Sequence, residues 1–269
     1  MTPIKHILAV IDNSELSKDI LKKSIEFAQK FNSKIIILYT IHIPFFDLPF
    51  YKKDVPVDKD AVKSSIEKIF DELNSDYGIE YYTLVYFGDS SDRAVVEAQR
   101  DNVDMVITGA SIKYEKIVRE AKKSLLIVKN GYKEYKNILI PTDLSAKSKE
   151  AIEFMKKNFD ANFSLVYGYE TIATTMSMYD IGYADMVEYQ DENREIAQEL
   201  LNSFSEEVGI EGELTDASFS LPYGILEYIE SKSPDLVVTA SHSLDKNFLL
   251  GSTSSYIAKE ANSDVLIFV

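Results

Sequence analysis

Short apolar runs alternate along the first half of this chain with longer segments whose apolar residues recur at helical spacing. The runs are nearly continuous and too short for helices, which is typical of buried parallel strands. They lie at residues 5–11, 34–41, 80–87, 104–108 and 124–128. The segments between them have one apolar and one polar face, which predicts amphipathic helices. These lie at residues 16–31, 58–76, 90–100 and 114–122.

The second half shows the same series. Its predicted strands lie at residues 137–142, 163–169, 212–219, 235–239 and 264–269. Its predicted helices lie at residues 146–158, 186–208, 223–231 and 252–261. Strands that alternate with helices pair in parallel through right-handed crossovers. The sequence therefore predicts an α/β fold of two doubly wound domains, each a five-stranded parallel sheet with helices on both faces.

Repeated segments indicate that the halves are two copies of one unit. Lys5–Ser14 and Lys136–Ser145 lie 131 residues apart, and each is an apolar run closed by an acid and then a serine suited to cap a helix. The same offset relates Asp104–Ala110 to Asp235–Ser241, where an aspartate opens a strand. Two shared offsets predict a tandem repeat, with the linker at Asn130-Gly131. The predicted domains are residues 1–130 and 131–269.

Composition narrows the class of protein. The chain has no cysteine, which excludes disulfides and thiolate metal sites, and no stretch of 18 apolar residues that would span a membrane. Its N-terminus lacks the long apolar region of a signal peptide. We therefore expect a cytoplasmic protein that does not insert into a membrane. No spacing of histidine with acids suggests a metal site.

The acidic charge is concentrated in the second half. Residues 1–130 carry 19 Lys and Arg against 20 Asp and Glu, whereas residues 131–269 carry 10 against 24, a net charge of −14. Such a surface repels phosphate backbones at long range, so nucleic acid is not an expected partner. The simpler interpretation is that the acids keep the protein soluble.

Candidate chemistry lies where the predicted strands end, because ligands of open parallel sheets bind beyond the carboxyl ends of the strands. Asp12 and Asp143 follow the first strand of each copy, and Tyr167-Gly168 ends the second strand of the second copy. The connection after the fourth strand is nine residues longer in the second copy. It ends in Gly251-Ser252-Thr253, where a helix begins, and backbone amides at a helix start favour anions.

These residues resemble the universal stress protein family, and about 260 of the 269 residues are similar to a tandem member. The resemblance implies the strand order 3-2-1-4-5. In the family the first-strand acid faces adenosine, and one subclass binds ATP phosphates through Gly-x-x-Gly, nine residues, then Gly-Ser/Thr. Here Ala240–Ser243 stands in place of Gly-x-x-Gly, followed by seven residues and Gly251-Ser252. The first copy keeps only Gly109 of this motif.

The resemblance therefore implies an adenine-nucleotide site, for ATP or a related nucleotide with Mg²⁺, in the second copy only. No catalytic residue and no metal ligand of the protein itself is expected, and the sequence leaves weak ATP hydrolysis open. The expected binding residues are Asp143, Gly168, Ala240, His242, Ser243, Gly251, Ser252 and Thr253. The short apolar runs 125–128 and 265–269 are expected to pair, which would join the copies as a pseudo-symmetric dimer within one chain.

Three functions remain open from the sequence. The first is a non-enzymatic stress or regulatory protein that binds an adenine nucleotide in its second copy. The second is an interaction module for unidentified protein partners, with both nucleotide sites inactive. The third is an enzyme of the wider nucleotide-binding α/β class. The sequence argues against it, because the chain has neither a Walker loop nor a Gly-x-Ser-x-Gly motif. A homodimer of the whole chain is also left open.

Overall fold

The structure, a computed structural model, describes residues 3–41, 58–100, 103–170, 183–217, 220–241 and 251–269. The side chains of residues 170 and 183–190 are not among the described features. The chain divides into two compact units, Met1–Tyr132 and Lys133–Val269. We call them the first and the second domain and describe each by itself.

The first domain is a parallel sheet with the strand order β3-β2-β1-β4-β5. Its strands are β1 His6–Ile11, β2 Lys34–Ile41, β3 Tyr81–Phe87, β4 Met105–Gly109 and β5 Ser124–Val128. Its helices are α1 Ser17–Phe31, α2 Lys59–Asn74, α3 Ser90–Gln99 and α4 Tyr114–Ala121. The predicted fold class and strand order are therefore confirmed here.

The second domain has the matching order β8-β7-β6-β9-β10, again with parallel pairs. Its strands are β6 Asn137–Pro141, β7 Asn162–Glu170, β8 Gly212–Ala217, β9 Leu236–Ala240 and β10 Asp264–Phe268. Its helices are α5 Ala146–Asn158, α6 Tyr183–Val208, α7 Leu221–Lys232 and α8 Ser252–Glu260. The last two residues of the strand predicted at 212–219 lie outside the described residues.

The continuous apolar runs are explained by burial of the inner strands on both faces. Every residue of β4 is buried, as are five of the six residues of β1 and four of the five residues of β6. The outer strand β3 differs, because Tyr82 and Phe87 remain exposed. Burial is therefore deeper in the central strands β1 and β4 than in the outer strand β3.

The repeated aspartate that opens the fourth strand of each domain has a structural role. Asp104 Oδ2 accepts hydrogen bonds from the backbone N–H groups of Lys5 and His6, at 2.7 and 3.1 Å. Asp235 Oδ2 accepts from Lys136 and Asn137 in the same way, at 3.0 and 2.9 Å. These carboxylates fix the amino-terminal start of the central strand, at the end of the sheet opposite the candidate site.

The serine expected to cap the next helix does so only in the second domain. Ser145 is the N-cap of α5, and its hydroxyl accepts a hydrogen bond from Ser148 N at 3.2 Å. In the first domain α1 begins at Ser17 with Leu16 as N-cap, which forms no side-chain capping bond. Ser14 instead accepts the Ser17 N–H through its backbone carbonyl, at 3.2 Å, so its predicted capping role is wrong. A turn of backbone bonds replaces the side-chain cap there.

Candidate functional site

A cavity of about 730 Å³ lies in the second domain at the carboxyl ends of its central strands. Its floor is formed by the ends of β6, β7 and β9, and its sides by the starts of α5 and α8 and by one face each of α6 and α7. Parallel strands place their carboxyl ends at one edge of the sheet, which is why these segments converge. The volume is within the range of pockets that bind small molecules.

Asp143 lies on the rim of this cavity, directly after β6. Its Oδ1 accepts hydrogen bonds from Ser145 N at 3.0 Å and from the Ser148 hydroxyl at 2.7 Å. These bonds hold the carboxylate over the start of α5 while the residue remains exposed. A fixed carboxylate of this kind can accept hydrogen bonds from hydroxyl or amino groups of a ligand.

The start of α8 forms the opposite wall. Gly251 is the N-cap, with φ −53° and ψ 147°, and the first helical bond runs from Ser255 N to Gly251 O at 2.9 Å. The amides of Ser252, Thr253 and Ser254 therefore precede the helical hydrogen-bond ladder. The Ser254 hydroxyl donates to the carbonyl of Ala240 at 3.4 Å and so ties α8 to the end of β9. This wall offers backbone donors and hydroxyl groups.

Gly251 and Gly168 both line the cavity but differ in how closely other atoms approach them. A Cβ atom at residue 251 would have nothing within 4 Å, so neither packing nor backbone conformation requires glycine there. A Cβ atom at residue 168 would lie 2.4 Å from Leu221 Cδ1 and 3.1 Å from Ile225 Cγ1. The absence of a side chain at Gly168 therefore allows Leu221 and Ile225 of α7 to pack closely on β7.

One side of the cavity is apolar and comes from α6. The core stripe of this helix consists of Ala197, Leu201, Phe204 and Val208, all buried. Ile196 and Leu200 lie one residue before two members of that stripe, are 56% and 50% exposed, and line the cavity. Together with Leu221 and Ile225 of α7 they give the cavity a wall suited to a flat apolar group.

Two buried hydroxyl groups lie at the end of β9. Thr239 and Ser241 are each 2% exposed and line the cavity. Neither hydroxyl oxygen has a hydrogen-bond partner among the described residues. An unpaired buried hydroxyl is costly, so such groups are usually satisfied by water or a ligand. A ligand or water molecule that reached either hydroxyl would supply the missing partner.

The comparison with known proteins identifies the family. The universal stress protein family model matches the chain twice, at residues 3–129 and 134–268. The chain belongs to the universal stress protein family. It is a tandem member, as the resemblance indicated, because each match covers one of its two domains.

Individual relatives agree with this assignment. The chain is 30% identical over 149 residues to a universal stress protein of Methanocaldococcus jannaschii, a match that covers 52% of this chain and 86% of that protein. A functionally unknown protein of Pseudomonas aeruginosa PAO1 has a similar fold, with 16% identity, a TM-score of 0.70, and coverage of 98% of this chain and 92% of that one. A universal stress protein of Archaeoglobus fulgidus also has a similar fold, with 18% identity, a TM-score of 0.65, and coverage of 98% of this chain and 95% of that one.

Six of the eight residues expected to bind a nucleotide line the cavity of this universal stress protein. They are Asp143, Gly168, Ala240, Gly251, Ser252 and Thr253. The other two, His242 and Ser243, lie outside the described residues. Their assignment as binding residues remains a prediction.

Several lining residues were not in the expected set. Thr239 and Ser241 flank Ala240. The sequence feature that could have identified them is the polar residue at alternate positions where the strand ends. Ile196 and Leu200 are missed because an apolar pair on a long helix is read as core. Their spacing of four residues, out of register with the core stripe, was the available signal.

The corresponding carboxylate of the first domain, Asp12, is held by three serines. The Ser111 hydroxyl, from the connection between β4 and α4, donates to Asp12 Oδ2, while Ser14 N donates to Oδ1 at 2.8 Å. Burial raises the pKa of the Asp12 carboxyl, but the hydrogen bonds from Ser111, Ser14 and Ser17 lower it more, so the pKa lies below its usual value. Both oxygens of Asp12 are thus engaged within the first domain.

Within the ranges that the structure describes, no three His, Cys, Asp or Glu side chains are grouped so that they could hold a metal ion. No described helix is both long enough and apolar enough to cross a lipid bilayer.

Proposed function

We propose that this tandem universal stress protein binds one adenine nucleotide in its second domain and none in its first. The observation that supports the proposal is the cavity of about 730 Å³ that is lined by Asp143, by the start of α8 and by apolar residues of α6 and α7. Its size suits a nucleotide, and its polar and apolar sides match the two ends of such a ligand.

The parts of the ligand are assigned from the chemistry of the walls. The base lies against Ile196 and Leu200 and is oriented by Asp143. The ribose or phosphate lies near Ser252 and Thr253, where the amides at the start of α8 point outward. In this arrangement the buried hydroxyls of Thr239 and Ser241 gain partners.

The first domain is proposed to bind no nucleotide, for two reasons. Its connection between β4 and α4 has four residues, whereas the one between β9 and α8 has eleven. In addition, Ser111 from that connection donates to Asp12, which occupies the carboxylate that would face the ligand. A ligand would have to displace this bond before it could use Asp12.

The proposed role is binding and not catalysis. The hydrogen bonds that Asp143 accepts from Ser145 and Ser148 hold its carboxylate in place, which supports a role in binding a ligand. A bound nucleotide would act by stabilising the second domain and any surface that depends on it. The weak ATP hydrolysis left open by the sequence is checked by release of inorganic phosphate.

A thermal-shift screen of the full chain tests the proposal. ATP, ADP, AMP and cyclic AMP are each added at 1 mM, and at least one should raise the unfolding temperature, because a ligand that binds only the folded state stabilises it by mass action. Guanine and pyrimidine nucleotides are the matched controls. If no adenine compound gives a shift, the proposal is wrong and the interaction module is the remaining interpretation.

We also propose that the two domains form a pseudo-symmetric pair through their last strands. The support is the presence of two domains of one family in a single chain. Hydrogen exchange of β5 in the full chain provides the test. If the last strand of the second domain covers the outer edge of β5, the β5 amides that point away from β4 should be protected from exchange. If these amides exchange as fast as those of an unfolded peptide, the pairing is wrong. Sedimentation of the full chain decides whether a homodimer also forms.

A further inference from the structure

The described residues that line the cavity of the second domain carry little charge. Among them Asp143 is the one that is formally charged at neutral pH, and it is negative. The flanking residues 242–250 contain one Asp, one Lys and one neutral His, and residues 171–182 contain one Asp. The local sequence therefore adds no net positive charge, and the whole second half carries 10 Lys and Arg against 24 Asp and Glu.

Polyphosphates are poorly matched to such surroundings. Proteins hold di- and triphosphates with Lys, Arg, metal ions or the backbone amides of a glycine-rich loop, and Ala240–Ser243 has neither glycine of such a loop. Here the offset among the described lining residues comes from the start of α8, whose helix dipole is equivalent to about half a positive charge. That is enough for one phosphate group at most, and each further phosphate is repelled by Asp143 and by the acidic surface.

The uncharged features of the cavity match a nucleoside better. Ile196 and Leu200 provide an apolar face for a base, and Thr239 and Ser241 provide buried hydroxyls without partners among the described residues. We propose that this cavity binds adenosine or its monophosphate in preference to the di- and triphosphates. The inference rests on the proposed function and adds the class of ligand that the site selects.

Isothermal titration of the full chain tests the preference, with adenosine, AMP, ADP and ATP in a low-salt buffer that contains EDTA. Adenosine and AMP should bind within about threefold of each other, because the helix start offsets one phosphate. ADP should bind roughly three- to tenfold more weakly than AMP, and ATP more weakly than ADP by a similar factor. The reason is that each added phosphate is repelled by the acidic surroundings, and water screens part of this repulsion. Higher salt should strengthen ATP binding and leave adenosine unchanged, because screening weakens the repulsion.

The outcomes separate this inference from the proposed function. If ATP binds as tightly as AMP or more tightly without a metal, the preference is wrong, whereas adenine binding stands. If none of the four ligands binds, both proposals are wrong. ATP affinity that falls as salt rises would also contradict the preference, since it would reveal a basic phosphate site.

A pair of variants tests the hydroxyl contacts. Thr239→Val removes a hydroxyl without partners among the described residues while keeping the shape of the side chain, so AMP should bind at least fivefold more weakly, the rough value of one hydrogen bond. Thr108→Val is the control, because Thr108 occupies the equivalent place in the first domain and is fully buried. Equal effects of the two variants, or no effect of Thr239→Val, would overturn the assignment of Thr239 to the ligand.

Discussion

The backbone of Gly168 lies so close to Leu221 that a methyl group on residue 168 would come within 2.4 Å of Leu221 Cδ1. In the first domain the β1–β2 and β6–β7 registers place Thr40 at the position of Gly168. There the Thr40 and Ser90 hydroxyls are in direct hydrogen-bond contact. In the first domain the strand residue, Thr40, is larger than the helix residue, Ser90. In the second domain the strand residue is glycine and the helix residue is Leu221, so the sizes are reversed.

This exchange predicts the effect of Gly168→Ala. The added methyl group overpacks the contact between β7 and α7 and should lower the stability of the second domain by about 1–3 kcal/mol. Hydrogen exchange followed by mass spectrometry can measure the loss for each domain separately. The double variant Gly168→Ala with Leu221→Ala should recover part of it, since the clash is removed. Faster exchange in both domains alike would contradict the explanation.

A second prediction concerns Asp235 and acid. Burial raises the pKa of its carboxyl, but hydrogen bonds from Asn137, Lys136 and Lys133 lower it more, so the pKa lies below its usual value. A lowered pKa in the folded state means that the stabilisation is present above the pKa of the unfolded chain and is lost as pH falls through the folded value. Asp235→Asn should therefore cost about 1 kcal/mol at pH 7, and much less at pH 3.

Urea unfolding followed by circular dichroism at pH 7, 5, 4 and 3 measures this dependence. The exposed Asp160, at the turn into β7, supplies the control variant Asp160→Asn. The free energy of unfolding of Asp235→Asn should approach that of the original chain as the pH decreases. A difference that stays constant from pH 7 to pH 3 would show that the carboxylate charge is not responsible.

A third prediction uses the open space at Gly251. A side chain there meets no atom within 4 Å, and the backbone conformation is one that any residue adopts. Gly251→Val should therefore leave the unfolding temperature nearly unchanged and still weaken AMP binding at least tenfold, because the side chain enters the space given to the ligand. Loss of folding stability would mean that the residue acts through structure instead.

The control for this variant is Lys113→Val, at the N-cap of α4 in the first domain. Gly109, its counterpart by sequence motif, is unsuitable, because a Cβ atom there would lie 3.2 Å from Ile20 Cδ1 and a bulky replacement would strain the core. Lys113→Val should affect neither AMP binding nor the stability of the second domain.

The sequence predicts much of this fold because its signals are local and repeated. Apolar runs and helical spacing locate the strands and helices, and the offset of 131 residues shows that there are two domains. Asp143 could be placed at the site because the end of a strand is visible in the sequence. The parallel register then determines which strand ends meet, which explains why Gly168, Ala240 and Gly251 converge.

The remaining features depend on contacts that sequence spacing does not reveal. Thr40 and Gly168 are equivalent in the sheet but lie 128 residues apart, because the connection between the first two strands is three residues shorter in the second domain. The repeat offset of 131 therefore hides their relationship and the packing role of Gly168. Similarly, Ile196 and Leu200 are indistinguishable from core residues until the packing of α6 is known.

Native mass spectrometry of the full chain with AMP tests the central claim most directly. One bound AMP per chain is predicted, and the adduct should be lost in Asp143→Ala and retained in Asp12→Ala, whose carboxylate is already bonded to Ser111. Two bound molecules per chain, or equal loss from both substitutions, would contradict the assignment of a single site to the second domain.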